Sequence, residues 1–291
     1  MKPIVYILSA IVCTVLFSCK ESAASSKNKN GTEKVPTKIE RKKPGTVTYN
    51  FENTKEWLNK ASNDSAQLQL AYAINRTDAE NFKKLDSVIV PNDFTGDIAY
   101  YLPFPLKVSA LKEVEKIIYF SYPTQTFAAY ENGELIYTGP TNMGREKDKT
   151  PTGLFFTNWK AEETTSTFND EWDLKWNFNI ENKLGVGFHQ YALPGYPASH
   201  SCLRLQEADA KKMYSWADEW ILQDDQNVKV KGTPVIVFGA YPFGKTKPWY
   251  VLVDDAKGLQ LSESDIERET KPHLNSILKE QKNRATQQNQ E

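Results

Sequence analysis

Cysteine, histidine and methionine each occur only three times in 291 residues, and the charges nearly cancel, leaving a formal net charge of −1. Each scarcity excludes something. A near-neutral chain offers no cationic face to a phosphate backbone, so no nucleic-acid partner is expected. No Gly-rich phosphate loop or dinucleotide fingerprint occurs, and no cofactor is expected. A zinc site would have to be built from His189, His200 and Cys202. The His-x-Cys spacing suits a structural site poorly, and no further Cys/His cluster completes it, so no metal is expected either. The apolar run from Pro3 to Phe17 is too short for a comfortable bilayer-spanning helix.

That run follows Lys2 and ends in Leu16-Phe17-Ser18-Cys19, which resembles a bacterial lipobox. Residues 1–18 are therefore expected to be a lipoprotein signal peptide, with Cys19 lipidated as the membrane anchor. Such an anchor implies the bacterial cell envelope, with the protein facing the periplasm. Ordinary secretion without lipid is the alternative. Cys13 would leave with the signal and Cys19 would be blocked, so Cys202 would remain as an unpaired thiol. From 19 to 48 the chain is polar and rich in Lys, Ser, Thr and Asn, the composition of a solvated tether.

Residues 49–112 read as a small mainly helical accessory region, with Trp57, Leu58, Ala61, Leu68, Ala71 and Ile74 at spacings one helix face can use. The stretch Ala73–Pro91 has a distant likeness to a LysM-type wall-binding repeat. A helical unit packing on a neighbouring sheet accounts for it more simply. Between Ile117 and Thr138 the pattern is of strands broken by turns. Glu207–Leu222 carries Met213, Trp216, Ala217, Trp220 and Ile221 at helical spacing, Pro234–Gly239 reads as a buried strand, and Trp249–Val253 as a last one. Residues 254–291 are expected to form a polar, frayed or appended C-terminal tail with at most one amphipathic helix, on Ile266, Leu274, Ile277 and Leu278.

The chemistry concentrates in Ser199-His200-Ser201-Cys202-Leu203-Arg204, ten residues after His189 at its first position. A thiol becomes a nucleophile when an imidazole takes its proton or a cation balances the thiolate, and this segment supplies both. A lone cysteine is more often an inert core residue. Here it is flanked by polar and charged residues and preceded by Leu193-Pro194-Gly195-Tyr196-Pro197-Ala198, a rigid surface loop of the kind that carries function.

These residues resemble the L,D-transpeptidases with a YkuD-type catalytic domain. The resemblance rests on Gly187-Phe188-His189, the Pro-Gly-Tyr-Pro loop and the Ser-His-Ser-Cys-Leu-Arg run, and upstream on Gly144 and Thr150-Pro151-Thr152-Gly153. It implies a mostly β (α+β) fold, an L,D-transpeptidase-type β-sandwich with an accessory helix, occupying residues 113–253. It also implies acyl transfer through a thioester on peptidoglycan stem peptides. Cys202 would be the nucleophile, His189 the general base, His200 a supporting group and Arg204 a support of the site, with the backbone at Ser201 and Cys202 forming the oxyanion hole. Tyr191, Ser199, Trp172 and Trp176 would line the substrate cleft, with Trp159 beside them. Ser201 departs from the family, which has glycine there, and Gln190 stands where relatives have a small residue. The default chemistry is 3-3 cross-linking or protein attachment. A carboxypeptidase or endopeptidase using the same thioester, and a catalytically weak wall-binding lipoprotein, are the alternatives. Oligomeric state is not legible.

Overall fold

The computed structural model describes residues 39–61, 63–165 and 173–288. The expected signal peptide, Cys19 and residues 20–38 of the tether lie outside the described residues, as does Trp172; residues 39–48 are described and are not a free tether, since Arg41 donates to the Leu135 carbonyl at 2.7 Å and the Gly45 and Thr48 N–H groups donate to Asp93 and Asn92. In chain order the elements are β1 (Tyr49–Asn53), α1 (Thr54–Ala61), α2 (Ser65–Asn75), α3 (Ala79–Phe82), β2 (Ser87–Pro91), β3 (Ile117–Ser121), β4 (Thr126–Glu131), β5 (Glu134–Pro140), β6 (Gly153–Phe156), β7 (Lys160–Thr165), β8 (Asp173–Glu181), β9 (Val186–Gln190), β10 (Leu203–Leu205), α4 (Glu207–Trp216), β11 (Ile221–Leu222), β12 (Val228–Val230), β13 (Pro234–Phe238), α5 (Glu263–Thr270) and α6 (Leu274–Gln288). The fold is mixed α+β, dominated by sheets that do not close into a barrel. Among the described residues no helix is long and apolar enough to cross a membrane.

Two sheets face each other. One has the order β5-β4-β3-β13-β6 and the other β10-β9-β8-β7. Strand side chains alternate between faces. In β3, Ile118 and Phe120 point inward to meet Phe127, Phe178, Phe188, Leu203, Val235 and Val237, and α4 closes this core with Ala210 and Met213. Ile117 and Tyr119 point the other way. They meet Ala128, Tyr130, Ile236 and Phe238, and are covered by Ile266 of α5 and Ile277 of α6. The five-stranded sheet is thus buried on both faces, which is why Ile117–Ser121 shows no polar alternation: all five residues are buried.

The C-terminal segment is therefore not a frayed tail. Ser262 and Asp265 form a reciprocal capping box that starts α5. Tyr119 and Thr270 share a hydroxyl hydrogen bond of 2.6 Å across the helix–sheet contact. Gln281 of α6 accepts from the Glu115 N–H and donates to the Glu113 carbonyl. Burying side chains such as Ile266 and Ile277 contributes roughly 1.5–3 kcal/mol each, enough to hold helices that are otherwise polar. The Trp249–Val253 stretch, expected to be a strand, lies within a 3₁₀ helix, Pro248–Val253. The helix expected to reach Leu222 ends at Trp216, because Ala217 is extended.

Residues 49–91 contain the expected helices and also a two-stranded antiparallel sheet, β1 with β2. Their own core gathers Trp57, Ala71, Tyr72, Phe82 and Val88, and a second cluster joins Ile74 and Ile89 to Trp249 and Leu252. The junction with the sandwich is specific. Arg76, left-handed at φ 59°, caps α2. Its fully buried guanidinium donates to the carbonyls of Thr124, Ala73 and Ile74, each at 2.7 Å, and lies 5.4 Å from the Trp249 ring centre. Among the described residues it has no carboxylate partner. Burial draws its pKa down to about 9, so it remains a cation at neutral pH.

Candidate active site

β9 and β10 run parallel, with Leu203 opposite Phe188 and Arg204 opposite His189. Partners in a sheet share a face and chain neighbours alternate. Phe188 and Leu203 turn into the core and have no exposed surface. His189 and Arg204 are thereby put on the other face, and Cys202, one residue before β10, joins them. A single strand pair brings together a thiol, an imidazole and a guanidinium that are up to fifteen residues apart in sequence. Gly187 is required between them, since a Cβ there would lie 2.7 Å from the Phe178 carbonyl oxygen.

His189 is 3 % exposed. Its Nδ1 is 3.0 Å from the Gln190 carbonyl oxygen, and a carbonyl only accepts, so Nδ1 carries the proton and Nε2 keeps its lone pair. The imidazole is thus oriented by backbone, which makes the side chain of Gln190 immaterial to that role. Burial pulls the His189 pKa down to about 4, with the Gln190 hydrogen bond opposing and the Arg204 charge adding to the depression. At neutral pH the ring is an uncharged base.

Cys202 keeps some exposed surface, yet crowding around its sulfur pushes the thiol pKa up, against the Gly187 N–H and the Arg204 charge, which both favour the thiolate. The sulfur lies 3.8 Å from the Gly185 carbonyl oxygen, to which it donates. The resting pair is therefore neutral thiol and neutral imidazole. The Arg204 guanidinium carbon sits 4.5 Å from the centre of the Tyr191 ring, and that ring meets His189 edge-on at 6.0 Å between centres. Tyr191 is the wall that holds base and cation in place.

The loop before Cys202 is tied down by its neighbours. Ser199 was expected at the substrate, but it is fully buried and its hydroxyl donates to the Cys202 carbonyl at 2.6 Å, which makes it a positioning residue. Its backbone joins Met143 and Arg145. Ser201 has φ +86°, the left-handed region where glycine is at ease. Its carbonyl accepts from the Thr150 hydroxyl at 2.8 Å, and its own hydroxyl donates to the Asp148 carbonyl at 3.2 Å. The same Thr150 oxygen accepts from the Gly144 N–H at 2.8 Å. At Gly144 a Cβ would come within 2.2 Å of the Asp148 carbonyl oxygen. No hydrogen bond among the described residues uses the N–H of Ser201 or Cys202.

His200 sits against Asp148. Its Nε2 is 3.9 Å from Asp148 Oδ2, and burial and the Arg145 charge lower its pKa while Asp148 opposes. Trp176 does not line the thiol's face. A bulge opposite His189 gives it φ 54°, and its ring packs on α4, 5.5 Å from the Tyr214 ring and 5.2 Å from the Lys211 ammonium. Trp159 donates to Asn182 at the end of β8. Thr150, Gly187 and the Gln190 carbonyl join the site without having been assigned roles from sequence. The Thr-Pro-Thr-Gly run was the available signal for the first. Among the described residues no group of three or more His, Cys, Asp or Glu is placed to hold a metal ion.

Residues 115–237 match the sequence model of the YkuD family, the L,D-transpeptidase catalytic domain. No curated protein matches. Among solved structures, this chain is similar to an L,D-transpeptidase from Stackebrandtia nassauensis at 25 % identity, over 44 % of this chain and 57 % of that one, with a TM-score of 0.36. An L,D-transpeptidase from Mycobacterium smegmatis is 21 % identical over 43 % of this chain and 59 % of its own, at TM-score 0.34. One from Mycobacterium tuberculosis H37Rv is 20 % identical over 43 % and 58 %, also at 0.34. The chain spans less than two thirds of each of these structures, and likeness at this level adds nothing to the family match. The match covers every residue of the β9–β10 constellation, and residues 115–237 are an L,D-transpeptidase catalytic domain of the YkuD family.

Proposed function

We propose that the protein modifies peptidoglycan by cysteine acyl transfer on stem peptides. The observation that carries this reading is the placement of Cys202, His189 and Arg204 on one face of the parallel β9–β10 pair, with two unused N–H groups beside the sulfur. His189 Nε2 takes the thiol proton as sulfur attacks the carbonyl carbon of the peptide bond to be broken. The S–C bond forms, and the carbonyl oxygen becomes an oxyanion held by the N–H groups of Ser201 and Cys202. The C–N bond then breaks, the leaving amine receives the proton from His189, and a thioester remains. An acceptor amine loses its proton to His189, attacks the thioester and releases the thiol. Water in place of that amine gives hydrolysis by the same steps. Transfer to an amine, giving a 3-3 cross-link or protein attachment, is the reading adopted.

Desolvation explains why the site rests unionised. Proton transfer to an uncharged, enclosed imidazole creates an ion pair only when substrate arrives, and Arg204 offsets the negative charge developing on sulfur. The same proposal places the enzyme in the bacterial envelope on the periplasmic side. The lipobox-like Leu16-Phe17-Ser18-Cys19 and the polar tether support this. The test is intact-mass spectrometry of the protein incubated with a disaccharide-tetrapeptide, with Cys202→Ala as control. A Cys202-dependent acyl adduct, or a cross-linked product, is expected. Absence of both adduct and product from folded protein overturns the reading, and a hydrolysed stem alone reassigns it to a hydrolase. Metabolic labelling with a fatty acid tests the anchor, since label retained in Cys19→Ala would refute it.

A further inference from the structure

The peptide bond joining Ser201 to Cys202 is held by a residue of another loop. Its carbonyl oxygen accepts from the Thr150 hydroxyl at 2.8 Å, and Thr150 is 2 % exposed. A carbonyl only accepts, so the single hydroxyl proton is committed to Ser201, while the hydroxyl oxygen itself accepts from the Gly144 N–H at 2.8 Å. Gly144 is fixed in turn, since its carbonyl accepts from the Tyr122 hydroxyl and its backbone bridges Ser199. Pro151 restricts Thr150 to extended backbone, and the β-branched side chain is stiff at its first torsion. A rigid donor is thus aimed at one carbonyl.

A peptide unit is planar and trans, with its N–H pointing opposite to its C=O. Fixing the Ser201 carbonyl therefore fixes the direction of the Cys202 N–H, one of the two donors assigned to the oxyanion. This plane needs an outside hold, because Ser201 sits at φ +86° and its own hydroxyl reaches the Asp148 carbonyl only at 3.2 Å. The far side of Cys202 is tied down separately. Its carbonyl accepts from the Ser199 hydroxyl at 2.6 Å, and Arg204 and Asn142 exchange backbone hydrogen bonds at 2.9 and 3.0 Å. Opposed changes in ψ of Ser201 and φ of Cys202 would turn the intervening plane about its Cα–Cα axis. Such a turn swings the N–H while barely moving the Cys202 Cα and Cβ, so the thiol keeps its place and the donor loses its aim.

We propose that Thr150 is a positioning residue for acylation, aiming the Cys202 N–H at the oxyanion through the Ser201 carbonyl. The proposal rests on the acyl-transfer reading and adds to it the residue that sets an oxyanion donor.

The experiment uses the full-length protein in detergent, with Thr150→Val to remove the hydroxyl at nearly constant shape and Thr150→Ser to keep it. Each protein is acylated by the disaccharide-tetrapeptide in single turnover. In parallel it is alkylated with iodoacetamide, which takes the same thiol but displaces iodide from a tetrahedral carbon and forms no oxyanion. Thr150→Val is expected to lower the maximal acylation rate by roughly 10- to 100-fold while leaving the half-saturating concentration and the alkylation rate unchanged. Thr150→Ser should acylate within about threefold of wild type, giving up only the stiffness of the branched side chain. Acylation of Thr150→Val at the wild-type rate overturns the assignment, as does an equal fall in acylation and alkylation, which a merely loosened loop would give. If Thr150→Val does not fold, Thr150→Ala takes its place, and a folded Thr150→Ser that acylates no faster than the alanine variant overturns the assignment. Failure of the acyl-transfer reading looks different: wild-type protein is alkylated at Cys202 yet forms no acyl adduct, and both readings then fall.

Discussion

The two sheets of the sandwich are built alike and used differently. The five-stranded sheet is covered on both faces, by the shared core on one side and by α5 and α6 on the other. The four-stranded sheet gives one face to that core, and its other face carries His189 and Arg204 on β9 and β10, with Cys202 just before β10. That face holds polar side chains in fixed register, so on the proposed reading one sheet sustains the fold while the other supplies the chemistry. If that division holds, substitutions in the first should move stability and spare the chemistry of folded molecules, and substitutions in the second should do the reverse.

The largest effect is expected for Cys202→Ala, which should abolish acylation and turnover in protein that still folds, since it removes a single atom from the side chain. A full adduct or turnover in folded Cys202→Ala protein would break the comparison outright. His189→Ala should lower the single-turnover acylation rate by roughly 10²- to 10⁴-fold, the usual range for losing a general base. His200→Ala should cost far less, because that ring's Nε2 faces the Asp148 carboxylate at 3.9 Å and His189 is the uncharged, backbone-oriented imidazole. Equal losses would mean the base is misassigned. On the other sheet, Ile277→Ala should cost about 2–5 kcal/mol in chemical denaturation and leave the acylation rate per folded molecule unchanged.

A pH experiment sharpens the contrast. With a free-histidine value of 6.5 and a folded value of about 4, His189 binds fewer protons in the folded state than in the unfolded one. Its contribution is intact above pH 6.5 and is lost as pH falls toward 4, on the order of 3 kcal/mol for a shift of this size. His189→Gln should flatten that part of the curve of thermal midpoint against pH, and an unchanged slope would show that another group is responsible. The smallest effect concerns Ser201. Left-handed backbone costs a non-glycine residue about 1 kcal/mol or more, while its hydroxyl bond to Asp148 returns about 0.5–1.5 kcal/mol. Ser201→Gly should therefore change stability by less than about 1 kcal/mol, and Ser201→Ala, which keeps the strain and loses the bond, should be the less stable of the two. The reverse order would mean the hydroxyl is idle.

Much of this was legible in the chain, and unevenly so. The strands from Ile117 to Thr138 and the buried strand at Pro234 announce themselves through dense β-branched and aromatic residues. Cys202 and His189 stand out because their residue types are so rare here. The C-terminal segment was legible as at most one helix, and its packing on the sheet was not, because Ile266, Leu274, Ile277 and Leu278 are thinly spread among charges. The stronger clue lay elsewhere, in a strand apolar on both faces that needs a second cover. Trp176 was expected at the cleft because the resemblance puts a substrate-covering insert there, but a bulge decides which way it points, and a bulge is a property of strand pairing that local sequence does not encode. Ser199 failed for a related reason: the Cys202 carbonyl that its hydroxyl meets, buried within the folded loop, cannot be foreseen from composition.

Arg76 gives the N-terminal region a standing that a list of domains would hide. Its guanidinium reaches the Thr124 carbonyl, between β3 and β4, and rests against Trp249, well past the last strand of the sandwich. Segments from both ends of the described chain thus close around one enclosed cation. Such a region cannot be exchanged as a cassette or trimmed to the catalytic domain without leaving a carbonyl and a tryptophan facing an empty socket. In heredity as in the laboratory, residues 49–91 and the sandwich should travel together.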